Sequence, residues 1–190
     1  MAETLPTACA AMPPNTRLGR PLTSTGSTKG LTSADRGAKP SRIPGLLLGL
    51  GIGGLIDGIV LHQILQWHHM ISDTKGNPVT TIKGLEANTL ADGFFHLATM
   101  ILMAFGIAGL IGAWRQGRKA PSPLFQIGLL LAGWGIFNIV EGTIDHLILG
   151  VHHVRDDLGG PLSWDIGFLA FGVLLLAAGI AMHRAGDRNM

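Results

Sequence analysis

Residues Pro44 to His69 read PGLLLGLGIGGLIDGIVLHQILQWHH. The stretch opens with thirteen uncharged residues. Taken whole, it has the ~20 residues that a helix rising ~1.5 Å per residue needs to cross a ~30 Å hydrocarbon layer. Its second half, Asp57 to His69, is unlike its first: an aspartate, three histidines and two glutamines sit directly behind the apolar run. Ionisable groups at such a depth cost several kcal/mol unless paired, so they point to function.

Eighty-four residues later the pattern returns as EGTIDHLILGVHH, Glu141 to His153. Both stretches read Asp/Glu-Gly-x-x-x-His-x-Ile-Leu-x-x-His-His. The match extends backwards, with Gly49, Gly51 and Ile52 on Gly133, Gly135 and Ile136, and Leu46 and Leu47 on Leu130 and Leu131. Between the segments that follow each stretch it is weaker, resting on Asp92 and Phe95 against Asp165 and Phe168. This predicts a duplicated helical hairpin, its two copies inserted in the same direction.

Apolar segments at Pro44 to Trp67, Gly93 to Trp114, Leu124 to Val140 with a polar continuation to Leu149, and Ile166 to Met182 supply four crossings. The expected fold is therefore all-α, a four-helix transmembrane bundle over residues 43–184, with spans near 44–69, 90–114, 123–150 and 164–183. Residues 185–190 form a short tail. In the first 42 residues, 20 are Ser, Thr, Pro or Gly and no apolar period appears, which predicts a disordered basic tail. It has no apolar core of a cleaved signal, and its Arg- and Ser-rich character is only weakly that of a transit peptide. The single cysteine, Cys9, lies there and excludes an internal disulfide.

Eleven of the fourteen Lys and Arg lie before the first span, between the second and third, or after the fourth. The other two loops hold only Lys75, Lys83 and Arg155. The positive-inside rule then puts both termini in the cytoplasm and the histidine-rich ends outside. With the basic residues explained by topology, and no phosphate loop or nucleophile elbow present, nucleic acid is not an expected partner. The expected partners are the lipid bilayer and a metal ion.

At ~100° per residue, Gly51, Gly58, His62 and His69 share one stripe, as do Gly135, Gly142, His146 and His153. Small residues permit close approach, so this is the expected meeting face of the first and third helices, with His62 opposite His146. Asp57 and His68 lie on a second stripe, matched by Glu141, Asp145 and His152. The return helices start at the same level and add Asp92 and His96, so that seven of the eight histidines gather at the outer end. Thr89 before Asp92 has capping-box spacing and Asp165 follows Ser163 at a helix start, which makes helix capping the expected role of both aspartates. His68, His69, His152 and His153 are expected near the water interface.

Imidazoles with carboxylates suit zinc, iron, manganese or copper(II), whereas copper(I) would call for sulfur, and Met70 is the only sulfur near the cluster. Candidate ligands are His62, His96, His146 and Glu141, with Asp57, Asp92, Asp145, His68, His69, His152 and His153 around them. Asp57 and Asp145 are placed to accept a ligating histidine's second ring N–H. Four readings stay open: a metal-handling membrane protein, a metal-dependent oxidoreductase or hydroxylase, a b-type haem protein with His62 and His146 as axial ligands, and a polar network without metal.

The motifs DGIVLHQILQWHHM, ADGFFHLA and GWGIFNIVEGTIDHLILGVHHVR closely resemble the bacterial membrane-protein family catalogued as domain of unknown function 2243, over Ile43 to about Met182. The resemblance implies an integral membrane protein with four helices, expected in a bacterial inner membrane. It implies no reaction.

Overall fold

The computed structural model describes residues 37–190, and among these every regular element is helical. Residues 1–36 of the expected tail, Cys9 included, lie outside the described residues. Helix α1 (Ile43–Ile56) has Pro44 in its first turn, where the missing N–H forfeits no helical bond, and passes straight into a π-helical stretch, Asp57–Ile64. Helix α2 (Ile82–Arg115) is capped by Thr81, whose hydroxyl accepts from the Gly84 N–H at 3.1 Å. Helix α3 (Pro123–Glu141) starts behind Ser122, which accepts from the Phe125 N–H at 3.2 Å, and passes into a second π-helical stretch, Gly142–Leu149. A short 3-10 turn, Asp156–Leu158, leads to α4 (Leu162–Arg188). The four spans, Ile43–Ile64, Ile82–Arg115, Pro123–Leu149 and Leu162–Arg188, are each long and apolar enough to cross a membrane.

Helix α1 packs against α2 and α3, and α3 also against α4, while α2 and α4 make no close approach to one another. The order in space is thus α2, α1, α3, α4. Burial follows it: 44% and 39% of the apolar windows of the first and third spans are buried, against 11% and 17% for the second and fourth. The bundle is apolar outside and polar inside. Among the described residues only Phe125, Leu129, Ala132 and Val154 are buried hydrophobics, whereas Phe94, Ile64, Leu174 and Trp114 lie largely exposed. In water such a surface would be costly, but in lipid it matches the solvent.

The glycines meet differently from the arrangement the 100° arithmetic predicts. Where α1 crosses α3, a Cβ on Gly49 would lie 2.9 Å from the Gly133 Cα, and one on Gly133 would lie 2.8 Å from the Gly49 Cα. The stripe expected between α1 and α3 instead faces each hairpin's own return helix. Gly51 lies against Thr99 and Met103 of α2, Gly58 against Phe95 and His96, Gly135 against Gly172 and Leu176 of α4, and Gly142 against Phe168 and Leu169. His62 and His146 share those stripes, so they too turn toward α2 and α4 rather than toward each other.

Element ends also shift. The first span stops at Ile64, short of His69, because Gln66 adopts φ 51° and turns the chain. The second begins at Ile82, well before residue 90, since its first turns carry Lys83, Glu86 and Asn88 and show no apolar run. The fourth continues to Arg188, and Asp187 there pairs with Lys39 at 3.0 Å and with Arg42 at 3.6 Å.

Candidate metal centre

A π-helical turn takes in more residues than the 3.6 of an α-helix, and such turns gather at functional sites. Here they re-aim everything beyond Asp57 and Glu141. Each π stretch closes with a wide backbone bond, Trp67 N–H to Leu61 O at 2.9 Å and Val151 N–H to Asp145 O at 3.1 Å. Just before it, Gln66 (φ 51°) and Gly150 (φ 55°) take the left-handed conformation. The chain is thereby folded back over the helix end. His68 and His152 are carried into the bundle, at 2% and 0% exposure, instead of out to the water interface.

The contacts made at this end recur, with the histidines offset by 84 residues and the aspartates that meet them by 73. His62 Nδ1 lies 3.0 Å from Asp92 Oδ1, and His146 Nδ1 lies 3.2 Å from Asp165 Oδ1. His69 Nδ1 and His153 Nδ1 meet the other oxygens of the same two aspartates at 2.6 and 2.8 Å. Asp92 also accepts from the Met70 N–H, and Asp165 from the Val154 N–H, both at 3.0 Å. His68 Nδ1 donates to the Val154 carbonyl and His152 Nδ1 to the Met70 carbonyl, each at 3.1 Å, so the two halves are tied crosswise. Ser72 Oγ bonds to Asp156 and closes the loops above. The rings of His68 and His152 stack at 4.7 Å and 3°, with His62 4.5 Å from the first and His146 4.8 Å from the second.

A carbonyl only accepts, so the Nδ1 atoms of His68 and His152 carry the proton and their Nε2 atoms present lone pairs. The carboxylate of Asp92 fixes His62 in the same sense. Around these lone pairs are more acceptors. Glu141 Oε1 lies 2.9 Å from His146 Nε2 and 2.8 Å from His152 Nε2, and Asp57 Oδ2 lies 3.2 Å from His62 Nε2. Asp57 Oδ2, Glu141 Oε2 and the Nε2 atoms of His62, His68 and His146 have no hydrogen-bond partner although all are buried. Burial, with the His152 and His62 rings beside it, pushes His68 well below the usual imidazole range. Burial is the largest effect on His152 and opposes its charge, but the hydrogen bond and negative charge of Glu141 with the Met70 carbonyl together raise its pKa. One imidazole thus stays a neutral ligand while its stacked neighbour calls for a cation against Glu141.

Two triplets offer ligand atoms within 4.8 Å of one another: His62, His68 and His152, and Glu141, His146 and His152. A tetrahedral ion with ~2.1 Å bonds separates its ligands by ~3.4 Å, so the 2.8 and 2.9 Å separations around Glu141 would open by about half an ångström to take one. The residues present fit a transition metal. Beside them, a water-side cavity of about 500 Å³ reaches down to His68 and His69, with Asp73, His153 and Asp156 on its walls.

The expected ligands sort as follows. Asp57, Glu141, His62, His68, His146 and His152 converge. His69 and His153 stand one step out, behind Asp92 and Asp165. Of those two aspartates, expected at helix starts as caps, Asp165 does lie in the first turn of its helix while Asp92 lies well inside one that starts at Ile82, and both take the role of holding the imidazole N–H groups that was assigned to Asp57 and Asp145. Asp145 is half-buried and belongs to neither triplet. His96 also joins neither; its Nε2 is buried against Gly58 without a partner. The stacked His68 and His152 stand between His62 and His146, where a bis-histidine haem would need its macrocycle. Sequence reading gave Asp165 only a capping role, although its alignment with Asp92 carried the signal for more.

Residues 44–186 match the model of a family described as "Predicted membrane protein (DUF2243)". No curated protein and no solved structure matches the chain.

Proposed function

We propose that this chain, which belongs to the DUF2243 family of membrane proteins, holds a resident transition-metal ion in the polar end of its bundle, on the outer side of a bacterial inner membrane. One observation carries the reading. Six buried groups, His62, His68, His146, His152, Asp57 and Glu141, converge with more acceptors than donors, because the N–H groups of three of the four neutral rings are already committed to Asp92, Val154 and Met70 and only that of His146 is left to serve the cluster. Lone pairs and carboxylates at 2.8–3.2 Å repel unless a metal cation or a proton lies between them. Glu141, His146 and His152 would form the core of the ligand set, and nitrogen with oxygen donors suits zinc, iron, manganese or copper(II).

The ligands' 0–6% exposure supports an ion that is retained rather than passed across, as does the apolar inner half of the spans. Bound there, the ion would supply Lewis acidity or, if iron or copper, electron transfer. Outward placement is supported by the distribution of Lys and Arg. The raised pKa of His152 favours a second reading, in which protons alone satisfy the cluster.

Metal analysis of full-length protein purified in detergent separates the two. The wild type is expected to carry one transition metal at a fixed ratio to protein, and Glu141→Gln and His146→Ala are expected to lose most of it. His96→Leu is expected to keep it. Folded variants that retain wild-type metal at Glu141 and His146 would leave the protonated network as the reading.

A further inference from the structure

Helices α1 and α4 both pack on α3 but not on each other, and between them the flank of the bundle is open. The gap is a crevice of about 470 Å³, a size at which small-molecule sites are common. Trp67, Trp134, Trp164 and Phe171 form much of its lining, and Trp164 and Phe171 are 42% and 45% exposed on the lipid-facing side. A crevice in such a place could hold any acyl chain. This one has a polar floor. Asn138, 2% exposed, and Asp57, 5% exposed, both line it, and Asn138 Oδ1 and Asp57 Oδ2 are buried without a hydrogen-bond partner.

Asp57 has a counterpart in Glu141, but the amide in this floor belongs to one half only. Asn138 aligns with Gly54 and Trp134 with Leu50, so the corresponding positions of the first hairpin offer no acceptor; Gly167, which opens the crevice in α4, aligns with Phe94 in α2. A buried amide oxygen left unsatisfied costs ~1–3 kcal/mol, which a donor on a ligand would offset.

We propose that this crevice binds a membrane-dissolved long-chain alcohol. Its chain lies along Trp67, Trp134 and Phe171, and its hydroxyl meets the Asn138 amide beside Asp57, donating to Oδ1 once that amide turns toward the crevice. The site is defined without the metal ion and goes beyond that reading, though it would set the hydroxyl next to the centre.

Three of the four tryptophans line the crevice, so bromine on a bound chain should quench their fluorescence. Full-length protein in detergent is titrated with ω-bromododecanol and, separately, with bromododecane, which has the same chain and no hydroxyl. The alcohol is expected to saturate at roughly tenfold lower concentration, the worth of one buried hydrogen bond. Asn138→Leu should abolish that preference. Gly167→Phe should abolish saturable quenching by either compound; a Cβ at Gly167 meets nothing within 4 Å, so the change fills the crevice without disturbing α3. Equal affinity for the two compounds, or a preference that survives Asn138→Leu, would overturn the inference and leave an ordinary lipid chain as occupant. The titration is paired with metal analysis of the same sample. Alcohol preference without stoichiometric metal would leave the crevice standing and the centre refuted, and metal without preference would do the reverse.

Discussion

Asp92 and Asp165 show how much one side chain is asked to do at this end of the bundle. Each carboxylate meets two histidines and accepts one backbone N–H, and Asp92 takes a further bond from Gln63 at 3.0 Å. An amide has one acceptor oxygen and brings donors of its own, so Asp92→Asn and Asp165→Asn would each leave one ring free to turn. Both variants are expected to weaken metal binding by roughly 10- to 100-fold, the usual cost of losing a partner behind a ligating histidine. Competition with a chelator of known affinity measures it, and unchanged affinity in both would remove these aspartates from the site. Their type and alignment were legible in the sequence, but their role was not. Thr89 and Asp92 have the spacing of a capping box, and nothing in a single sequence says that the helix has already begun at Ile82.

At the scale of elements, the apolar runs gave the four helices, and the recurring motif marked where the polar end lies. The directions of the histidines were not legible, because azimuths counted at 100° per residue fail once the helix widens at Asp57 and Gly142. Gly150 was the one local sign of the turn that follows, as a residue that takes the left-handed conformation at no steric cost. Gln66 adopts the same conformation without that freedom. Gly150→Gln is therefore expected to destabilise the protein by about 1–2 kcal/mol, while Gln66→Gly should change stability by less than about 1 kcal/mol. Thermal unfolding in detergent compares them. Equal losses in the two variants would mean that the turns do not set the position of His68 and His152.

For the whole molecule, the inside-out distribution of side chains follows from lipid as solvent, and the placement of basic residues supports an orientation. In a Cys9→Ser background, single cysteines at Gly76 and Leu158, both exposed in the loops at the histidine end, are expected to react with an impermeant thiol reagent in intact cells. Labelling only after permeabilisation would turn the centre toward the cytoplasm. The central claim is that nitrogen and oxygen ligands from both halves of the bundle enclose a metal. X-ray absorption at the edge of the metal bound to purified wild-type protein tests it most directly. The expected spectrum has nitrogen and oxygen neighbours at about 2.0–2.2 Å, the outer scattering of imidazole rings and no sulfur. A sulfur neighbour at about 2.3 Å, or a preparation with no stoichiometric metal to examine, would contradict it.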